Sequence, residues 1–209
     1  YIRNIDLEIF GTTRNPQTAD LLIKKGVKPL MWSDGSKIKS VINRSDYILH
    51  SIPPTEIGDP VYKRFSKAII SRSTNLSWFG YLSTTSVYGN HDGKWVDENI
   101  PVNPSSNRGL LRVKAENNWS SIKDLPLHIF RLAGIYGPNR SPLDKIRSGK
   151  AQLISKPGQF FSRIHVEDIA RVLGASIEMP NHGSVYNVCD DMPAAPDEVL
   201  GYAAKLINY

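Results

Sequence analysis

Arg108 and Arg112 lie four residues apart in the segment Arg108-Gly109-Leu110-Leu111-Arg112-Val113-Lys114-Ala115-Glu116. On a helix that spacing puts both side chains on one face. A guanidinium stays protonated in a protein, so neither residue can relay a proton at neutral pH; both can hold an anion. A second cluster, Gly11-Thr12-Thr13-Arg14-Asn15, offers two hydroxyls and a guanidinium but no acid. Arginine makes two-pronged bonds to phosphate, so Arg14 is a candidate phosphate ligand. The bland alternative is that Arg14 is a solvated loop charge and Asn15-Pro16 only starts a helix. Asp34 either faces a ligand or caps a helix. Tyr88 and Tyr136 are candidate proton donors and His165 a poorer one. Against those roles, Tyr88 packs under a loop and His165 orients one through its ring N–H. No Cys/His/Asp spacing suggests a metal site, and no Gly-x-Ser-x-Gly element of the hydrolase type occurs.

These residues need elements to position them. Short apolar runs alternate with helical patterns along the chain. Strands are expected over Leu7 to Phe10, closed by Gly11, over Val27 to Trp32, Asp46 to Ser51, Trp78 to Ser83, Leu127 to Leu132 and Val185 to Val188. Helices are expected over residues 16 to 25, from a Ser36 cap through Ile42, Val61 to Ile70, 108 to 122, Val166 to Glu178 and Asp197 to Ile207. Such alternation implies βαβ units and a parallel sheet with helices on both faces. Pro53-Pro54 stops one strand, and the polar stretch from Gly89 to Asn107 reads as a loop. Residues 137 to 165 break the rhythm. The tryptophans Trp32, Trp78, Trp95 and Trp119 read as core or rim residues. Cys189 reads as a small buried residue beside a strand.

Composition narrows the class. The chain has 209 residues, 40% hydrophobic and 22% charged, with a formal net charge of +6. That suits one globular domain, or one domain with a small lobe. The basic residues are dispersed, which argues against nucleic acid and for an anionic small ligand or a solvated surface. No run reaches the roughly 18 apolar residues of a membrane span. No signal peptide opens the chain, and one cysteine allows no internal disulfide. A cytoplasmic setting is expected.

The segment Tyr81-Leu82-Ser83-Thr84-Thr85-Ser86-Val87-Tyr88-Gly89 resembles the strand and turn of the extended short-chain dehydrogenase/reductases, the NAD-dependent epimerase/dehydratase family. Four further segments resemble that family in the expected order: Asp97-Glu98 with Pro101 and Pro104; Arg131 through Tyr136-Gly137-Pro138; Ile164-His165-Val166-Glu167-Asp168; and Ser184-Val185-Tyr186-Asn187-Val188. The resemblance covers almost the whole chain. It implies a Rossmann-type doubly wound α/β fold: a dinucleotide-binding core over 1–136, the start of a small substrate lobe over 137–165, and a return to the core over 166–209. It implies that Thr84 supports catalysis and that Thr12, Thr13, Arg14, Asp34, Ser51, Ile52, Pro53, Arg112 and Gly134 line the cofactor. It implies substrate contacts from Thr85, Tyr88, Tyr136 and Arg163, and a homodimer paired through the helix at 108 to 122.

The sequence departs from the family in two ways. The catalytic Tyr-x-x-x-Lys pair falls on Arg108 and Arg112, so the phenol is replaced. Arg112 could still hold ribose or phosphate, and Arg108 an anionic substrate. The glycine-rich Gly-x-Gly-x-x-Gly strand and turn are also missing, which leads us to expect residues upstream of Tyr1; the alternative is another α/β fold that never had the turn. With Arg14 where the family places an acid for NAD, the cofactor expected is NADP, with NAD second. The expected function is an NAD(P)-dependent oxidoreductase or nucleotide-sugar epimerase/dehydratase-like protein acting on a carbonyl or alcohol. The alternative is an NADP-binding sensor or scaffold without turnover.

Overall fold

Each turn between elements is set by a few local residues. The computed structural model describes residues 7–153 and 158–208. Near the start, Asn15 accepts the Gln17 N–H through its side chain and Pro16 occupies the first helical position, so the chain turns directly from strand into helix. The elements follow as β1 (Phe10–Thr13), α1 (Pro16–Lys24), β2 (Lys28–Met31), α2 (Gly35–Ile42), β3 (Tyr47–His50), α3 (Pro60–Ile70), β4 (Trp78–Thr84), α4 (Asn107–Ser120), β5 (Leu127–Leu132), β6 (Gly134–Tyr136), α5 (Pro142–Arg147), β7 (Arg163–His165), α6 (Val166–Glu178), β8 (Val185–Val188) and α7 (Pro196–Leu206). Short 3-10 turns lie at Ser73–Asn75 and Thr85–Val87. Tyr1 and Tyr209, the outer limits of the expected core, lie outside the described residues, as do residues 154–157 of the expected lobe.

All strand pairs are parallel. β3, β4, β5 and β8 form one sheet in that order, and β1 pairs with β2. Among the described residues no ladder joins β1 to β3, so each keeps one unpaired edge. Side chains alternate faithfully between the two faces. Phe79, Tyr81 and Ile129 join Ile38, Val41, Phe65, Ile69, Ala115 and Trp119 from α2, α3 and α4. Trp78, Phe130, Leu132 and Val188 join Ile169, Leu173 and Ile177 from α6 on the other face. This is the doubly wound arrangement. Gly80 is needed in β4 because a Cβ there would lie 2.0 Å from the Trp78 ring. β6 pairs with β7, and α5 rests against α7.

Three local expectations are corrected. The first strand runs from Phe10 to Thr13 rather than closing at Gly11, because Gly11 sits under α1, where a Cβ would meet Val27 at 3.0 Å and Leu22 at 3.2 Å. Helix α2 is capped by Asp34, whose carboxylate accepts the Lys37 N–H at 2.9 Å, and not by Ser36. Cys189 is exposed rather than buried, since the chain leaves the sheet at Val188.

Candidate functional site

In each parallel sheet the residues that follow the strands lie at the carboxyl edge, where ligands of open α/β folds bind. Thr12 and Thr13 end β1 and Arg14 follows; Asp34 follows β2; Ser51, Ile52 and Pro53 follow β3; Thr84 ends β4. Thr12 and Arg14 are exposed. The Thr13 hydroxyl is taken up locally, accepting from the Asn15 N–H at 3.1 Å and donating to the Asn15 carbonyl at 3.2 Å. Thr84 accepts the Ser86 N–H at 3.3 Å, which turns the chain sharply out of β4; Thr85 then closes the 3-10 turn by accepting the Tyr88 N–H at 3.1 Å.

A cleft of about 510 Å³ opens at this edge between the loop after β3 and the first turns of α4. Pro53, Pro54, Thr55 and Glu56 form one wall; Asn107, Arg108, Leu111 and Arg112 form the other. The structure therefore brings together three residues expected at the site, Pro53, Arg108 and Arg112. Arg112 is nearly buried, at 7% exposure, and donates to the Leu82 carbonyl and to the Tyr81 hydroxyl at 3.4 Å. The ladder to β3 ends at Tyr81, one residue before that carbonyl, so the guanidinium takes over where the neighbouring strand stops. Burial pushes the Tyr81 phenol up to about 12, opposed by Arg112, so it stays protonated.

One carboxylate ties the two walls together. Asp59 caps α3 by accepting the Val61 and Tyr62 N–H groups at 2.8 and 3.1 Å. Its other oxygen lies 2.8 Å from His50 Nε2 and accepts the Trp119 indole N–H at 2.8 Å. His50 ends β3 and Trp119 belongs to α4, so the loop and the helix are pinned at their base. Burial works to raise the Asp59 pKa, but the bonds from His50 and Trp119 outweigh it and hold the carboxyl below its ordinary value.

Behind the Thr84 turn lies a second buried network. Arg131 from β5 donates to both oxygens of Glu116 from α4, at 2.9 and 3.3 Å, and Ser83 also donates to Glu116. Arg131 donates as well to the Tyr88 hydroxyl at 2.8 Å, and that hydroxyl donates to Asn187 at 2.8 Å. Burial opposes the Arg131 charge, yet Glu116 and Tyr88 keep its pKa raised. Tyr88 is 2% exposed and fully committed, so it is removed from the candidate proton donors and substrate contacts. His165 caps α6 by accepting the Glu167 N–H through Nδ1 at 3.3 Å; it orients the chain as an acceptor, not through an N–H as expected. Tyr136 packs edge-on against His165, with centroids 5.2 Å apart. Arg163 donates to the Phe161 carbonyl at 2.8 Å, and Gly134 lies beside it in the β6–β7 pair. Neither lines the cleft.

Sequence reasoning missed Thr55, Glu56, Asn107 and Leu111 in the cleft, and Asp59, His50 and Glu116 beneath it; Arg131 was read as part of a motif but not as the partner of Glu116. The Asp59-Pro60 pair was a readable helix start; the others carry no local signal. Among the described residues no group of three His, Cys, Asp or Glu could hold a metal ion, and no helix is long and apolar enough to cross a membrane.

No family model matches the chain. Protein YeeZ of Escherichia coli K12 is 33% identical over 122 residues, 58% of this chain and 42% of that protein, so the chain matches less than half of the curated relative's length. A conserved protein of unknown function from Silicibacter pomeroyi DSS has a solved structure with 46% identity and a TM-score of 0.90, covering 99% of this chain and 72% of that one. The dTDP-glucose 4,6-dehydratase of Bacillus anthracis, solved with NAD, superposes with a TM-score of 0.80 at 16% identity, covering 99% of this chain and 75% of that one.

Proposed function

Because the chain belongs to the same family as the conserved Silicibacter pomeroyi protein and has the fold of the NAD-dependent epimerases and dehydratases, we propose that it binds a nicotinamide dinucleotide along the carboxyl edge of its sheet. The observation that supports this reading is that Thr12, Arg14, Asp34, Ser51 and Thr84 each stand at or just after the carboxyl end of a parallel strand. Exposed Arg14 and Thr12 suit the adenosine end, and a 2′-phosphate there gives NADP the advantage over NAD. Asp34 spends one carboxylate oxygen on its helix cap and keeps the other for the adenosine side. The loop from Ser51 to Pro53 and the buried Arg112 lie at the nicotinamide end, and Gly134 follows the neighbouring strand. When bound, the dinucleotide supplies hydride exchange with a carbonyl or alcohol, and a nucleotide sugar is the substrate class proposed. Thr84 orients the reacting oxygen through its hydroxyl, with Thr85 beside it.

A second reading, binding without turnover as a sensor or scaffold, is favoured by one observation. Arg112 is committed to β4 and Tyr88 to Arg131 and Asn187, so neither offers the cleft a titrating proton. Fluorescence titration of the purified protein with NADPH and NADH tests the shared claim. NADPH is expected to bind about tenfold more tightly, and Arg14→Ala to erase the difference. No binding of either dinucleotide overturns the proposal; preference for NADH overturns the role of Arg14. Incubation with NADPH and a panel of carbonyl substrates separates the two readings, since oxidation lost in Thr84→Ala belongs to an enzyme.

A further inference from the structure

We propose that the cleft between the Pro53–Glu56 loop and α4 is an oxyanion site in its own right, where Arg108 meets the carboxylate or phosphate of a small molecule. Its place in a redox reaction rests on the dinucleotide reading; the anion site does not. Two guanidiniums line the cleft against a single carboxylate, Glu56. Arg108 is exposed and, among the described residues, makes no hydrogen bond or ion pair, so its donors are free for a ligand. Arg112 is held by the Leu82 carbonyl and Tyr81, which fixes a second positive charge at the floor without conformational cost on binding.

The walls are built to hold shape. Thr55 and Gly58 exchange backbone bonds of 3.0 and 2.8 Å, setting Glu56 on a closed turn, and Asp59 pins that turn to α4 through Trp119. Ser106 caps the Gly109 N–H at 3.1 Å, and no acid occupies the first turn of α4, so the positive end of the helix adds to the same field. A volume of about 510 Å³ has room for a small molecule. Because an arginine cannot give up its proton, Arg108 acts by binding and orienting an acid group, and substrates bearing one are selected over neutral carbonyls.

Calorimetric titration of dinucleotide-free protein at low ionic strength tests this, with inorganic phosphate and malonate as probes and malonamide as the neutral control. Saturable binding of at least one oxyanion is expected, and the better probe identifies the acid group. Arg108→Gln is expected to weaken that binding about tenfold, and Arg108→Lys, which keeps the charge but loses the fork, by less. Glu56→Gln, which removes the opposing charge, is expected to tighten it two- to threefold by a rough estimate. Absence of saturable binding, equal binding of malonamide, or a loss that follows Arg14→Ala instead of Arg108→Gln overturns the inference. A protein that binds NADPH but ignores both anions keeps the dinucleotide reading and loses this one. The converse result separates them in the other direction.

Discussion

Two polar clusters along α4 use the same residue types to opposite ends. Behind the β4 turn, Arg131, Glu116, Ser83 and Tyr88 are buried and, with half-buried Asn187, bonded to one another. In the cleft, Arg108 and Glu56 are exposed and, among the described residues, unengaged, while Arg112 is tied down. Burial without satisfaction costs several kcal/mol per charge, so the inner cluster has to close on itself and becomes structure. The outer cluster stays hydrated and costs nothing to leave open, which is what a binding site requires. An arginine on a sequence motif therefore says little until its partners are known: Arg131 lies in a segment that resembles the family and acts as a strut, while Arg108 departs from the family pattern and lines the open cleft.

The contrast is broken most severely at Glu116. Glu116→Gln keeps the shape but leaves Arg131 buried without its countercharge, and a loss of about 3–5 kcal/mol is expected. Urea unfolding followed by circular dichroism measures it. A loss below about 1 kcal/mol would mean that the inner cluster is wetter and looser than its geometry implies.

The next largest effect is expected at the opposite end of β5, where His128 avoids charge instead of pairing it. Its ring is inaccessible, stacked with Tyr186 at 6.2 Å and Trp78 at 5.8 Å, and its Nδ1 bonds Ser176 at 3.2 Å while Nε2 has no described partner. His182 lies beside it, with centroids 5.7 Å apart. Burial, helped by His182, lowers the His128 pKa to about 4. The unfolded chain protonates this residue near its ordinary 6.5, so between about pH 6.5 and 4 the unfolded state binds the extra proton. Stability is then expected to fall with pH across that window, by up to ~3 kcal/mol, and to gain nothing further from this residue above it. Denaturation midpoints at pH 7.5, 5.5 and 4.5 for the protein and for His128→Phe measure the difference. Parallel curves would show that His128 is not the residue responsible.

The same contrast explains what could be read from residues alone. Strands β5 and β8 and helix α6 fall on the expected spans because each is a short apolar-rich run bounded by turn or cap residues. The strand before Thr84 was legible, one residue short at Ser83, because a run of hydroxyls follows an apolar segment; Thr84 itself was singled out by the family resemblance. Arg108 and Arg112 were legible as one helix face, and the cleft does contain both. The partners were not legible. Glu116 reads as an ordinary helix charge, and only folding brings it to Arg131 on a strand behind it. Glu56 enters the cleft through a turn whose geometry depends on Gly58 at φ +106. Gly11 looked like a strand terminator because its role, clearance beneath α1, is a tertiary one.

The smallest effects sharpen the comparison between Tyr88 and Arg108, two candidates for one site that the fold separates. Tyr88→Phe removes a hydroxyl that accepts from Arg131 and donates to Asn187, both at 2.8 Å. It leaves a buried donor and a half-buried acceptor unmatched, and a loss of about 1–3 kcal/mol is expected. Asn187 is further held by Glu98, which accepts its backbone N–H at 2.6 Å, so part of the strand's anchoring survives and the lower half of that range is favoured. Arg108→Gln, at an exposed position with no described partner, is expected to stay within about 0.5 kcal/mol of the parent protein. Unfolding curves for the two variants under one set of conditions are decisive. A Tyr88→Phe protein as stable as the parent would put the phenol back among the groups free to meet a substrate. An Arg108→Gln protein as destabilised as Tyr88→Phe would make Arg108 a strut like Arg131 and remove the contact proposed for an anion in the cleft.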